Sequence, residues 1–161
     1  MIHASNINNV IVMSRHDAEN AYNGSNNDNN IPTAIISISD IGQNEANIKQ
    51  QGNVTSIKRV WFDDAEAPSI DAITKHDAED IANFIKTIAT DGITERIVIH
   101  CGAGVSRSAG VAAATMLYLM GDDSKIFNNH HYRPNMTCYR RVLDELTRDL
   151  SDEELEQLIH K

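Results

Sequence analysis

Two periods of apolar residues run through this chain and divide it into strands and helices. Residues 33–39 (Thr-Ala-Ile-Ile-Ser-Ile-Ser) form a short β-branched run, the pattern of a strand. Residues 7–13, 54–62 and 96–100 read the same way, the third run being Arg-Ile-Val-Ile-His. Helical spacing governs 76–89, where Ile81, Phe84, Ile85 and Ile88 recur on one face, and 136–150, where Val142, Leu143 and Leu146 point inward. Residues 108–120 are small and alanine-rich, which lets a helix pack close beneath a sheet. Shorter helices are expected at 17–22, at 45–49, and from an Asp122 or Asp123 cap toward Asn129. Ser151-Asp152-Glu153-Glu154 is a capping box that opens a last helix over 152–159. The Asn/Ser/Gly/Asp run at 23–30 reads as a surface loop, and Ser39-Asp40-Ile41-Gly42 as a turn. Strands alternating with helices predict an α/β fold: a mostly parallel sheet, helices on both faces, and one domain over 1–161.

The chemistry is concentrated where the 96–100 strand meets the alanine-rich helix. The junction reads His100-Cys101-Gly102-Ala103-Gly104-Val105-Ser106-Arg107-Ser108. A thiol and a guanidinium flank a run of small residues at a helix N-terminus, with glycines where the backbone must turn its amides inward. Such a ring of N–H groups, backed by the helix dipole, binds a phosphate dianion. The same positive field favours a thiolate nucleophile. Cys138 is an internal control, because six residues beyond it stands Asp144 with no glycine between.

This motif resembles the active-site loop of the cysteine-dependent protein tyrosine phosphatases, and most closely that of the dual-specificity branch with its small bacterial and viral relatives. The resemblance is detailed over about residues 55–145. It implies a central sheet of about four or five strands. It also implies that Cys101 attacks phosphorus and that Arg107 grips two phosphate oxygens. The amides of Gly102, Ala103, Gly104, Val105, Ser106 and Arg107 would hold the rest. Ser108 would hydrogen-bond the sulfur and help it leave, and His100 would orient the loop from behind. Pro134-Asn135 matches a further feature of the family, with Asn135 supporting the loop.

The family also implies an acid on an upstream loop, since an alkoxide or phenolate leaves poorly unprotonated. Residues 59–64 (Arg-Val-Trp-Phe-Asp-Asp) read as a strand ending in two carboxylates. Placement favours Asp64, with Asp63 as competitor. The extra length from Ala65 to Ala72 keeps Asp71 open as a third candidate. Trp61 reads as a core residue and Arg140-Arg141 as a solvated helix face.

Composition narrows the classes further. The 161 residues are 41% hydrophobic with a net charge of −9, which speaks against nucleic-acid or anionic-membrane binding. Two cysteines argue against a disulfide framework and for a reducing, cytoplasmic setting, and the N-terminus lacks the form of a signal peptide. No metal or other cofactor is called for; His130-His131 lacks a third ligand at useful spacing. A phosphate-loop kinase is disfavoured because Gly-x4-Gly-Lys-Ser/Thr is absent. A sulfurtransferase would need neither Arg107 nor an acid. The expected partner is a phosphorylated protein, with phosphotyrosine ahead of phosphoserine and phosphothreonine. The non-enzymatic alternative is a phosphopeptide-binding module.

Overall fold

A computed structural model describes residues 5–24 and 30–159. Of the 23–30 loop, residues 25–29 therefore lie outside the described residues. Four strands form one parallel sheet in the order β1-β4-β2-β3: β1 Asn9–Ser14, β2 Thr33–Ser39, β3 Val54–Trp61 and β4 Arg96–Cys101. All seven residues of β2 and all six of β4 are buried, as expected of central strands covered on both faces. The four strands agree with the lower of the two counts expected.

Side-chain alternation sorts the two central strands into two cores. Ile35 and Val98 face α1 (Arg15–Tyr22), meeting Ala18, Tyr22, Ala46 and Ile48. Ala34, Ile36, Ile38, Ile97, Ile99 and Cys101 belong to the larger core on the opposite side. There α2 (Lys75–Ala89) and α3 (Arg107–Met120) lie against the sheet, and α5 (Met136–Thr147) packs on both. Cys101 therefore continues the Ile97-Ile99 row, while His100 points to the α1 side with Val98.

Local signals explain the helix boundaries. Thr74 and Asp77 form a reciprocal capping box at the start of α2. Ser151 and Glu154 do the same for α6 (Asp152–Ile159). Short α4 (Ser124–Phe127) starts after Asp123, but it is Asp122 whose carboxylate accepts from Ser124 N, at 2.8 Å. Gly110 lets α5 come close, because a Cβ there would stand 3.0 Å from Cys138 Cβ and closer still to Asn135 O. Among the described residues no helix is long and apolar enough to cross a membrane.

Three expectations are corrected. Residues 45–49 are not helical. Ala46 and Ile48 are buried against α1, and the Arg59 guanidinium takes both their carbonyls at 3.0 Å. Trp61 is not a core residue: it is 40% exposed at the end of edge strand β3, its indole N–H donating to Gln43 O. Arg141 is not solvated; it is half-buried and its Nη1 donates to Ile73 O, while Arg140 is exposed.

Candidate active site

The C-terminal ends of all four strands converge on one place, the usual location of ligands in open α/β sheets. β4 delivers Cys101, and six residues later α3 begins at Arg107. The loop between them is held by its carbonyls. Gly102 O accepts from Arg15 N, Val105 O from Arg133 N and Ser106 O from Asn135 N, each at 3.0 Å. These bonds tie the loop to the start of α1 and to the segment that leads into α5. Gly104 has φ +72°, and a Cβ on it would lie 2.6 Å from Ser14 N and 2.7 Å from Met13 C. Only glycine suits that position, because the end of β1 passes directly beneath it.

The N-terminus of α3 is open in a specific way. Ser106 occupies the N-cap, yet its side chain makes no capping hydrogen bond; its hydroxyl donates to Asp64 Oδ1 at 2.8 Å. The first amides of a helix have no intrahelical acceptor. Beside this terminus lies a cavity of about 470 Å³ lined by Asp64, Cys101, Ala103, Val105, Ser106, Arg107 and Arg133. The expected nucleophile, loop, arginine and acid are thus brought to one cavity.

Cys101 is 3% exposed, and its Sγ lies 3.0 Å from the hydroxyl of fully buried Ser108. Arg107 is 7% exposed. Its Nη1 donates to Phe62 O at 2.8 Å and pairs with Asp40 Oδ1 at 2.7 Å. Nε is buried and finds no acceptor among the described residues. Nη2 lies on the Gly102 side, 3.5 Å from where a Cβ would stand. One edge of the guanidinium is therefore fixed to the scaffold, and the Nε edge is left to grip an anion.

The three candidate acids part company here. Asp64 lines the cavity, and its Oδ1 also accepts from Asn135 Nδ2 at 3.0 Å. Asp63 turns away, its Oδ1 accepting from Ile41 N at 3.0 Å. Asp71 is exposed and outside the cavity lining; its carbonyl accepts from Asp63 N. Asn135 reaches the loop through its backbone N–H and the acid through its side chain.

His100 lies behind the loop, fully buried. Its Nδ1 is 3.2 Å from Cys101 O and its Nε2 is 2.6 Å from Ser37 Oγ. A carbonyl only accepts, so Nδ1 carries the proton and Nε2 accepts from the serine. Burial lowers the affinity of this imidazole for a second proton, against a smaller opposing effect of the Cys101 carbonyl. The unfolded chain therefore binds the extra proton first, near pH 6.5. The stability His100 contributes is complete above that pH and is lost as pH falls toward its lower folded value. We predict that urea unfolding between pH 7 and 5 loses up to about 1.4 kcal/mol per pH unit from this group. His100→Asn should flatten the profile relative to wild type; identical slopes in the two proteins would refute it.

Cys138 is buried, and desolvation together with the nearby Asp64 charge pushes its thiol strongly up, so it stays protonated. Two residues escaped the sequence reading. Asp40, 57% exposed, anchors Arg107, and Arg133 contributes to the cavity wall. Neither belongs to a motif, and both reach the site from elsewhere in the chain. Among the described residues, no group of three or more His, Cys, Asp or Glu is placed to hold a metal ion.

No protein-family model matches this sequence, and no curated protein matches it. Solved structures do. Human DUSP28 superposes with a TM-score of 0.56 at 15% identity, over 86% of this chain and 92% of that one. The human tyrosine phosphatase-like serine/threonine/tyrosine-interacting protein gives 0.52 at 20% identity, over 76% and 80%. PTPMT1 in complex with PI(5)P gives 0.50 at 12% identity, over 87% and 91%. The chain has the fold of the cysteine-dependent tyrosine and dual-specificity phosphatases.

Proposed function

We propose that this protein is a cysteine-dependent phosphatase acting on phosphorylated proteins, with phosphotyrosine the first substrate and phosphoserine or phosphothreonine further ones. The observation that carries the reading is the Arg107 guanidinium. It is buried, with Nε unpartnered among the described residues, in a cavity whose wall includes Cys101. A donor left so is costly unless an anion takes it, and in this reading the amides of residues 102–107 hold the same anion.

The reaction runs in two steps. The Cys101 thiolate attacks phosphorus in line, forming a P–S bond as the ester P–O bond breaks. Asp64 gives its proton to the departing oxygen. Arg107 and the loop amides hold the equatorial oxygens, whose charge they were already oriented to receive. Water, deprotonated by Asp64, then attacks phosphorus; the P–S bond breaks and phosphate is released. The Ser108 hydroxyl, 3.0 Å from Sγ, donates to the sulfur as it regains negative charge. A protein substrate is favoured over an anionic membrane lipid by the net charge of −9 and by a loop without lysine.

The test is hydrolysis of p-nitrophenyl phosphate in EDTA and reducing agent, with vanadate as inhibitor. Turnover that ignores the chelator and is blocked by vanadate supports the reading. A folded protein that captures phosphopeptides and releases no phosphate is a binding module instead. Asp64→Asn should lower kcat on phosphotyrosine about 10²- to 10³-fold and abolish the basic limb of the rate profile. Asp63→Asn should keep that limb; the opposite pattern would move the acid to Asp63.

A further inference from the structure

The two edges of the sheet are finished differently. On one side β3 carries Lys58 and Arg59, which pair with Asp80 at 3.9 Å and with Glu45 at 3.3 Å. Its register against β2 shifts at Thr33/Ala34, and Gln50 Nε2 donates to the Thr55 carbonyl at 3.0 Å. Charge, an irregular register and a bonded carbonyl all keep an edge strand from pairing with another chain. On the other side β1 has none of them. Its sequence is Asn-Val-Ile-Val-Met-Ser, without charge or proline, and all six residues keep a regular register on β4. The chain that enters β1 stays on the β4 side, with Asn6 Nδ2 donating to Gly92 O and Asn8 N to Glu95 O, each at 2.9 Å. Among the described residues nothing bonds to the outward N–H and C=O groups of residues 10–13. Beside this edge runs a groove made of two adjoining cavities of about 360 and 240 Å³. Val10, Ile11 and Val12 line it in succession, and since neighbouring side chains of a strand point to opposite faces, its floor is the backbone edge itself. Met116, Met120 and Ile126 give it apolar walls, and Asp122 and Lys125 place one charge of each sign there.

We propose that this edge pairs with the same edge of a second copy of the chain, β1 antiparallel to β1, about a two-fold axis normal to the sheet. A two-fold interface needs a patch complementary to itself. The uncharged strand meets that demand through its backbone. The groove meets it through charge, with Lys125 of each copy facing Asp122 of the other. Such an axis puts both α4 helices on one face and joins the two four-stranded sheets into one. β1 ends at Ser14, beneath Gly104. Antiparallel pairing therefore sends the two Cys101 loops to opposite ends of the joined sheet and leaves both active-site cavities open. The pairing does not depend on the chemistry at Cys101.

The experiment is sedimentation velocity on the full chain over a dilution series, with backbone hydrogen exchange at each concentration. We expect a species of twice the 17.9 kDa chain mass that dissociates on dilution. The outward amides among residues 10–13 should lose at least about tenfold in protection as it does. Val12→Lys puts a charge on the edge and should weaken the dimer at least about tenfold. Lys125→Glu sets like charges across the axis and should weaken it about three- to tenfold, and adding Asp122→Lys should recover most of that loss. Should Val12→Lys fail to fold, the charge exchange carries the test alone. A wild type that stays monomeric at every concentration overturns the proposal and leaves the edge to a strand from another protein. A dimer insensitive to these substitutions, whose β1 amides exchange alike on dilution, overturns it too, because its interface lies elsewhere.

Discussion

A Cys101→Ser protein is expected to keep its fold and lose at least about 10³-fold in kcat on p-nitrophenyl phosphate. The exchange replaces sulfur by oxygen in a site only 3% exposed, so packing changes little. The chemistry changes greatly, because a serine hydroxyl stays protonated where a thiol can ionise, and no base is bonded to it. The neighbour at 3.0 Å is the Ser108 hydroxyl, which cannot remove a proton at neutral pH. The anion-binding parts stay in place: the loop amides and Arg107. Vanadate or phosphopeptide affinity should accordingly survive, measured by isothermal titration or protection against thermal unfolding. Near-wild-type turnover in Cys101→Ser would remove the phosphocysteine from the mechanism.

The second large effect belongs to Arg107. Arg107→Lys keeps the charge and should still lower kcat about 10²- to 10³-fold. The guanidinium does two jobs with two edges. Nη1 is committed to Phe62 O and Asp40 Oδ1, and the Nε edge is left for substrate. An ammonium is a single point and cannot span both. If lysine keeps the Phe62 and Asp40 contacts it withdraws from the phosphate; if it turns to the phosphate, the strand end that leads to Asp64 loses its tie. The loss should therefore appear in kcat and in vanadate affinity together. Asp40 is more than half exposed, so its own contribution to stability is small. A lysine variant with unchanged kcat would show that a point charge suffices.

Much of this was legible in the sequence because it is local. The β2 run, the α2 stripe and the Ser151 capping box are decided by neighbours within a turn or a strand, and they fold as read. The Cys101-to-Arg107 loop was legible for the same reason. What was not legible depends on distant partners. Residues 45–49 read as a short helix, but Arg59 on β3 claims the carbonyls of Ala46 and Ile48. Trp61 belongs to an edge strand, which a single sequence does not reveal. The choice between Asp63 and Asp64 falls just past the end of β3, where alternation stops. The two carboxylates part spatially, Asp63 meeting Ile41 on one side and Asp64 meeting Ser106 and Asn135 on the other.

The strand order has a consequence for how the chain is made. β1 and β2 are not neighbours; β4 lies between them and pairs with both. During synthesis β2 and β3 can meet early, whereas β1 has no partner until residues 96–101 have left the ribosome. The last strand to appear is the one that closes the sheet, and it carries the thiol at its tip. A nascent chain that stops short of residue 135 cannot hold Cys101 in the assembled loop, since the loop also needs Arg133 and Asn135 to bond its carbonyls. Assembly of the loop is thereby coupled to synthesis of the chain as far as the start of α5, through topology alone.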